Sequence, residues 1–483
     1  MRMISALDGA WLLVESRDTP MHVGALLELT LPEDAPPDYL RRQLARMRAQ
    51  RQLAAPWNLR PVEAPILGAR LPLMREVRDV DLDYHVRHSA LPNPGSQREL
   101  GILVSRIHGN PLDFHRPLWE VHVIEGLEGN RWAMYAKIHH SLIDGVSGMR
   151  LILKALSTSA DDPDTPPIWT VGPRRARRPR VAGDDGPAAP PRDAPAAGRG
   201  PGSALARTGR QARGGLRALR GLTGAAGELT RAAFSGGALQ APFRAPSSAL
   251  GGTIGGSRRF ATQQYELEQL KELARAGGCT VNDVCLYLCG TALRRYLSEH
   301  AQLPRRSLTV GFPVSLRSAD DDRVGTAIGT LVADLATNVG DPLERLEAIR
   351  ASTAAAKEHL QAMPAEALSS QTVVVNGPFI LGLVAGLKGR TPRPFNMLLS
   401  NVPGPAEPLY FAGSRLDAIF PVSLVFHGAA LNVTCISYAG TMNFGLIGAR
   451  DTLPHLQRLA VYLGEALDEL TGILLGEGAS AGR

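Results

Sequence analysis

Two adjacent histidines, His139 and His140, are the residues of this sequence best suited to acid–base chemistry. Imidazole titrates near neutral pH, so a histidine held in its neutral form can accept a proton from an alcohol. The aromatic and apolar residues 132–138 predict a buried strand before the pair, and residues 145–156 predict a helix after it, with Asp144 as N-cap. Because neighbouring side chains leave an extended backbone in opposite directions, we expect one histidine to do chemistry and the other to pack or support the loop.

The two histidines open a seven-residue pattern, His-His-x-x-x-Asp-Gly, at 139–145. Further short motifs accompany it, in a fixed order along the chain. They are Ser5–Asp8 with Thr19–Gly24, Pro117–Glu120, Gly252–Gly255 with Arg258 and Arg259, Val281–Val284, and Ser400–Pro405. In these motifs the sequence resembles, nearly end to end, the bacterial wax ester synthase/diacylglycerol acyltransferases, a branch of the coenzyme A-dependent acyltransferase superfamily.

The resemblance implies an α+β fold of two chloramphenicol-acetyltransferase-like lobes. We expect an N-terminal acyltransferase lobe at 1–160 and a C-terminal lobe at 257–475. A long basic linker rich in Pro, Ala, Gly and Arg would join them at 161–256, and a disordered tail would follow at 476–483. The linker has almost no large apolar residues before Leu205, so much of it cannot bury enough surface to offset its ordering entropy.

Arginine is concentrated in this linker. Residues 171–260 contain 16 arginines and no lysine, against four acidic residues. Five of the arginines recur every three or four residues between leucines, at Arg207, Arg210, Arg213, Arg217 and Arg220. This spacing predicts a basic amphipathic helix, weakened by glycines, that could lie on an anionic bilayer surface. The alternative is a solvated tether that its charge keeps extended; binding to nucleic acid is disfavoured because aromatic residues and recognised folds are missing.

Composition limits the cellular location and the chemistry. No apolar run approaches the roughly 18 residues of a membrane-spanning helix, and the N-terminus lacks the apolar core of a signal peptide. We therefore expect a cytoplasmic protein, associated peripherally with the inner face of the plasma membrane or with lipid droplets. The four cysteines have no zinc-like spacing and should be free thiols. We expect no metal and no cofactor, with acyl-CoA as a substrate.

The resemblance assigns roles to particular residues. By correspondence with the family's second histidine, His140 is the general base, and His139 supports it. Asp144 either orients the base, as in a hydrolase triad, or caps the helix and holds the loop, and the resemblance favours the structural role. Gly145 is expected at a tight turn that a Cβ would obstruct. Asn282 is the candidate for stabilising the oxyanion or fixing the acyl carbonyl, with a polar helix cap as the alternative.

A second group of residues is expected to contact the substrates. Its members are Pro117, Leu118, Trp119, Asp283, Ser400 and Asn401. The first three are expected to pack at the interface between the lobes, where Trp119 could form a wall of the acyl channel.

The activity that the resemblance implies is transfer of a long-chain fatty acyl group from acyl-CoA to diacylglycerol, to a long-chain fatty alcohol, or to both. The reaction would be direct attack in a ternary complex. A thioester suits this chemistry because a thiolate leaves readily, so no strong general acid is needed. Two alternatives remain at this point: an acyltransferase or condensation enzyme with another alcohol or amine acceptor, and an inactive membrane or lipid-droplet scaffold. No obligate protein partner and no nucleic acid are expected.

Overall fold

The structure is a computed structural model that describes residues 1–63, 70–173, 245–315, 328–361, 377–383, 385–390 and 392–476. The strands are β1 Arg2–Met3, β2 His22–Thr30, β3 Leu59–Glu63, β4 Arg70–Glu76, β5 Val86–Ala90, β6 Trp119–Leu127, β7 Arg131–His139, β8 Arg258–Glu266, β9 Thr309–Ser315, β10 Ile328–Asp334, β11 Met397–Val402, β12 Tyr410–Phe411, β13 Ser414–Val422, β14 Leu431–Tyr438 and β15 Thr441–Ala449.

The helices are α1 Ala6–Val14, α2 Tyr39–Ala49, α3 Leu82–His85, α4 Gln97–Gly109, α5 Gly145–Lys154, α6 Leu267–Ala276, α7 Val281–His300, α8 Pro342–Gln361 and α9 Leu456–Leu475. A 3-10 turn lies at Ile168–Thr170, and residues 377–383 form one more helical stretch. None of the helices in the described ranges is long and apolar enough to cross a membrane.

A six-stranded sheet, which we call the first sheet, carries the histidine pair. Its strand order is β12-β13-β2-β7-β6-β5. The central strand β7 is antiparallel to β2 and β6, and its alternate residues Trp132, Met134, Ala136 and Ile138 enter the hydrophobic core of this half. The opposite face of β7 carries Tyr135, Lys137 and His139, all buried. His139 is therefore the last residue of a row of polar side chains on one face of β7, whose other face is apolar.

A second six-stranded sheet has the order β10-β9-β11-β14-β15-β8. Helix α7 is buried along most of its length and packs against α6, α8 and α9 in the core of this half. A small sheet of order β1-β4-β3 completes the strands of the described residues.

The two large sheets meet through a strand from the C-terminal half. Strand β13 pairs with β2 in the first sheet, yet it also contacts β14 and β15 of the second sheet. At this crossing a Cβ on Gly445 would lie 1.9 Å from the carbonyl oxygen of Pro421, so glycine permits the close approach. Residues Tyr410–Val422 thus belong to the first sheet, although the predicted C-terminal lobe contains them in sequence.

The structure confirms the predicted α+β class and the elements predicted around the site. The strand predicted at 132–138 is β7, and the helix predicted from 145 is α5. In the second sheet, residues Thr309–Ser315 form β9, and the Asp341 side chain caps α8 by accepting the Glu344 N–H. The four cysteines are free thiols. The predicted amphipathic helix, most of the linker and nearly all of the tail lie outside the described residues, so these stay predictions.

Candidate active site

The backbone of the histidine pair is hydrogen bonded to residues next to both strands that flank β7 in the first sheet. The His139 N–H donates to the Leu118 carbonyl oxygen at 2.9 Å, and the His140 N–H donates to the Met21 carbonyl oxygen at 2.8 Å. Leu118 is the residue before β6, and Met21 is the residue before β2. The turn after β7 is therefore anchored to both neighbouring strands before any side chain contributes.

The ring of His139 is completely buried, and its two nitrogens face different groups. Nδ1 accepts the Ser141 N–H at 3.1 Å, and the Ser141 hydroxyl oxygen lies 2.7 Å from the same nitrogen. Nε2 lies 3.4 Å from Oε2 of Glu15, and the Phe114 ring packs edge-on. Because Nδ1 accepts a backbone N–H, the neutral ring carries its proton on Nε2. This arrangement fits a supporting residue better than a base.

The ring of His140 is differently placed. It is half-buried beneath the indole of Trp11, with ring centroids 4.5 Å apart. Nδ1 is buried without a partner, and across the described ranges no residue hydrogen bonds Nε2. Burial lowers the pKa of His140 below its ordinary 6.5, while the Asp144 carboxylate acts in the opposite direction. The ring is therefore neutral at neutral pH, as a general base must be.

Asp144 forms the cap that the sequence predicted. Its Oδ1 accepts the Ser147 N–H at 2.8 Å, and its Oδ2 accepts the Ser147 hydroxyl at 3.0 Å, at the first turn of α5. Nδ1 of His140 is buried without a hydrogen-bond partner among the described residues, so it lacks the carboxylate bond that a triad base makes through this nitrogen. This geometry supports the structural alternative over the triad.

The expectation for Gly145 is wrong. A Cβ at this position would meet nothing within 4 Å, and its φ lies outside the left-handed region. The reason is that Gly145 is the exposed first residue of α5, with its α-carbon turned towards solvent. Its place in the motif therefore has no steric explanation here.

Asn282 and Asp283 lie in the first turn of α7. The cap of this helix is Thr280, so the alternative that Asn282 is the cap is also wrong. Asn282 is half-buried, and its amide makes no hydrogen bond with the described residues, which leaves it available to a ligand. Asp283 is buried. Its Oδ2 accepts hydrogen bonds from the N–H and the hydroxyl of Thr280, and its Oδ1 accepts one from the Thr353 hydroxyl. Contact between Asp283 and a substrate stays a prediction, and its present bonds are structural.

Pro117, Leu118 and Trp119 are buried beside the histidine turn. The Trp119 indole N–H donates to the Trp57 carbonyl oxygen at 2.7 Å, and its ring stacks on His85 and Trp169. All of these ring partners belong to the N-terminal half. Trp119 is thus enclosed in an aromatic cluster of that half, and its role as a channel wall stays a prediction.

Ser400 and Asn401 lie at the end of β11, which runs parallel to β14. Asn401 is exposed, and Ser400 is half-buried with its carbonyl oxygen near the Cys435 thiol. The following turn is held against β14, because the Gly404 N–H donates to the Ser437 hydroxyl and a Cβ there would lie 2.1 Å from the Ser437 carbonyl oxygen. Among the described residues, this turn makes no hydrogen bond, ion pair or ring contact with His140, so its substrate role stays a prediction.

Sequence reasoning missed the residues that surround the histidines. Trp11 and Glu15, on and just after α1, contact His140 and His139. Both stand close to the Thr19–Gly24 motif, which is the signal that could have directed attention to them. A Trp and a Glu at the end of a short apolar helix carry no chemical pattern of their own.

A buried polar layer beneath the histidines was missed as well. Lys137, two residues before His139, donates to the carbonyl oxygens of Ile107 and Asn110 and lies 3.2 Å from Oε2 of Glu120. His108 on α4 bonds the Tyr135 hydroxyl at 2.6 Å, and burial lowers its pKa to about 3. These bonds fix the C-terminal end of α4 against the sheet. No group of side chains in the described ranges could hold a metal ion.

Comparison with known proteins identifies the class. The family model described as wax ester synthase/diacylglycerol acyltransferase catalytic domain matches residues 4–285, and the C-terminal domain model of the same family matches residues 324–471. The chain therefore belongs to the wax ester synthase/diacylglycerol acyltransferase family, and the predicted class of enzyme, an acyltransferase, is confirmed.

Individual relatives cover almost the whole chain. A Mycobacterium tuberculosis protein named as a diacylglycerol O-acyltransferase is 44% identical over 97% of each chain. The O-acyltransferase WSD of Acinetobacter baylyi is 36% identical over 98% of each chain. The solved wax ester synthase/diacylglycerol acyltransferase of Marinobacter aquaeolei superposes with a TM-score of 0.76 at 35% identity, covering 98% of this chain and 99% of that one.

More distant structures share the fold alone. The first condensation domain of the calcium-dependent antibiotic synthetase is 18% identical, with a TM-score of 0.57, over 99% of this chain and 96% of that one. Together with the Marinobacter aquaeolei structure, this match confirms the predicted two-lobed fold.

Proposed function

We propose that this protein transfers a long-chain fatty acyl group from acyl-CoA to the hydroxyl of diacylglycerol or of a long-chain fatty alcohol. The observation that carries the mechanism is the state of His140, a neutral imidazole whose Nε2 makes no hydrogen bond with the described residues. The backbone N–H groups of His139 and His140 are anchored on Leu118 and Met21. Nε2 takes the proton of the acceptor hydroxyl as its oxygen attacks the thioester carbonyl. The new C–O bond forms, the C–S bond breaks, and the proton passes from the imidazolium to the departing thiolate.

The oxyanion of the tetrahedral intermediate needs a donor in this mechanism. Asn282 is the candidate, because its half-buried amide makes no hydrogen bond within the described residues. His139 and Asp144 hold the turn and do not touch the reacting atoms.

The test compares wild type with His140→Ala, using palmitoyl-CoA with dioleoylglycerol or hexadecanol offered separately. CoA release is followed and the esters are resolved by chromatography. We expect ester from at least one acceptor and a loss of roughly 10²–10⁴-fold in turnover in the variant. His359→Ala, at an exposed histidine in the last turn of α8, should behave as wild type. Ester formation at full rate by His140→Ala would contradict the base assignment.

A folded wild type that forms no ester from either acceptor would contradict the lipid alcohol as substrate. Amines and other alcohols would then be tested as acceptors. If none of them is acylated, the hypothesis of an inactive scaffold applies.

We also propose that the protein works peripherally at the cytoplasmic face of an anionic membrane or at lipid droplets. The arginine-rich composition of 171–260 and the lipid nature of the acceptors support this placement. Flotation with phosphatidylglycerol vesicles but not with phosphatidylcholine vesicles is the expected result, and no binding to either would contradict it.

A further inference from the structure

Glu15 is a buried carboxylate placed against the histidine pair. It follows α1 directly, and its side chain is only 3% exposed. Its Oε2 accepts the Met21 N–H and lies 3.4 Å from Nε2 of His139. In the described part of the chain, no lysine or arginine forms an ion pair with it.

The same carboxylate is connected to both histidines. One connection is a direct contact of 3.4 Å between Oε2 of Glu15 and Nε2 of His139, a nitrogen that is buried without a hydrogen-bond partner among the described residues. The other passes through Met21, whose N–H is bound by Glu15 and whose carbonyl oxygen accepts the His140 N–H. Glu15 thus contacts the ring of His139 and also Met21, the residue before β2 that anchors the backbone of His140.

A charged group is not needed for the second connection. The Met21 N–H requires only an acceptor, which a glutamine oxygen would provide without the desolvation cost of a buried carboxylate. The negative charge acts on the buried Lys137 ammonium, where it opposes the lowering of the pKa by burial, but its contact at ion-pair distance is with the ring of His139. At His139 the negative charge favours the tautomer with the proton on Nε2. The Ser141 N–H favours the same tautomer, because it donates to Nδ1.

We propose that Glu15 is a positioning residue of the acyl transfer. It fixes the tautomer and orientation of His139, and thereby the turn that holds His140 in place. This inference rests on the proposed function, because turnover is its readout. Burial lowers the pKa of His140, as does His139, whereas the Asp144 and Asp8 carboxylates raise it. We expect the Glu15 charge to add to these carboxylates from beyond His139 and so to favour the imidazolium that forms when the proton is taken from the acceptor.

Three measurements on Glu15→Gln test the proposal. The variant keeps an acceptor for Met21 and loses the charge. We expect kcat to fall about 10- to 100-fold, as when a group that orients a functional histidine is removed, while KM for palmitoyl-CoA stays within about twofold. The midpoint of the acid limb of kcat/KM should move to lower pH, since a negative charge near the base is lost. Glu15→Ala, which also removes the Met21 acceptor, should be worse than Glu15→Gln.

A matched control exists on β2, the strand that begins directly after Met21. Glu28 lies on β2, its side chain is also 3% exposed, and it forms an ion pair with Arg131 at 3.0 Å far from the turn. Glu28→Gln makes the same chemical change and should leave kcat and the pH profile as in wild type. Thermal unfolding of each variant separates loss of folding from loss of rate.

A double-mutant cycle with His139→Ala separates a positioning role from general packing. If Glu15 acts through His139, Glu15→Gln should add little to the loss already caused by His139→Ala. Fully additive losses, or a Glu15→Gln enzyme with wild-type kcat and acid limb, would overturn the inference. An inactive wild type would instead contradict the proposed function, so the two failures are distinguishable.

Discussion

The indole of Trp11 lies over the imidazole of His140, with ring centroids 4.5 Å apart and the two planes 32° from parallel. This contact covers one face of the proposed base and excludes water from its Nδ1 side, where the nitrogen is buried without a partner. An aromatic face also attracts a cation, so the indole should favour the imidazolium that forms during the reaction.

Removal of this indole should therefore slow the proton transfer. A cation–π contact in a desolvated site is worth about 1–2 kcal/mol, so Trp11→Ala should lower kcat roughly 5- to 30-fold. Trp11→Phe keeps a ring face and should retain most of the rate. Steady-state turnover of both variants, with unfolding temperatures as the folding control, checks this. Equal rates for Trp11→Ala and wild type would show that the stacked ring has no part in the chemistry.

The pH dependence of kcat/KM should report the environment of His140. The base works only when neutral, and burial lowers its pKa, so the acid limb should have its midpoint below 6.5. Activity should thus persist as pH falls through 6.5 and be lost only under more acidic conditions. A midpoint above 6.5 would contradict the burial of the ring.

Acid unfolding has to be separated from this titration. The pKa of His108 is lowered by burial to about 3, so between 6.5 and about 3 the unfolded chain binds a proton that the folded chain does not. Stability therefore falls as pH falls through this window. Circular dichroism at each pH identifies the range in which the enzyme is still folded.

The elements around the site could be predicted because they depend on local patterns. Apolar and aromatic residues before His139 indicate β7, and Asp144 before Gly145 indicates the cap of α5; the structure has both. Local patterns could not predict that β13, from the C-terminal half of the chain, pairs with β2 in the first sheet. Its residues read as a strand in either sheet, and only the close approach at Gly445 shows where it crosses.

The candidate site was predictable only where a motif marks it. The base and its neighbours stand in one heptad, whereas Glu15 reaches His139 across more than a hundred residues of chain. Long-range contacts of this kind leave no spacing in one sequence. The error at Gly145 has the opposite origin: the residue belongs to the motif, and a steric reason was inferred for a position that is exposed.

Asp144 allows a direct choice between cap and triad. Asparagine is as good an N-cap as aspartate, whereas alanine costs about 0.5–2 kcal/mol. The Ser147 N–H bonds the Asp144 carboxylate, so Asp144→Asn should unfold close to wild type and Asp144→Ala should be less stable by that amount. If Asp144 acts by holding the turn, loss of rate should follow loss of stability across the two variants. An Asp144→Asn enzyme of wild-type stability whose kcat falls about 10⁴-fold, the loss seen when a triad aspartate becomes asparagine, would assign it to the base instead. Urea denaturation and CoA release on the same preparations decide between these outcomes.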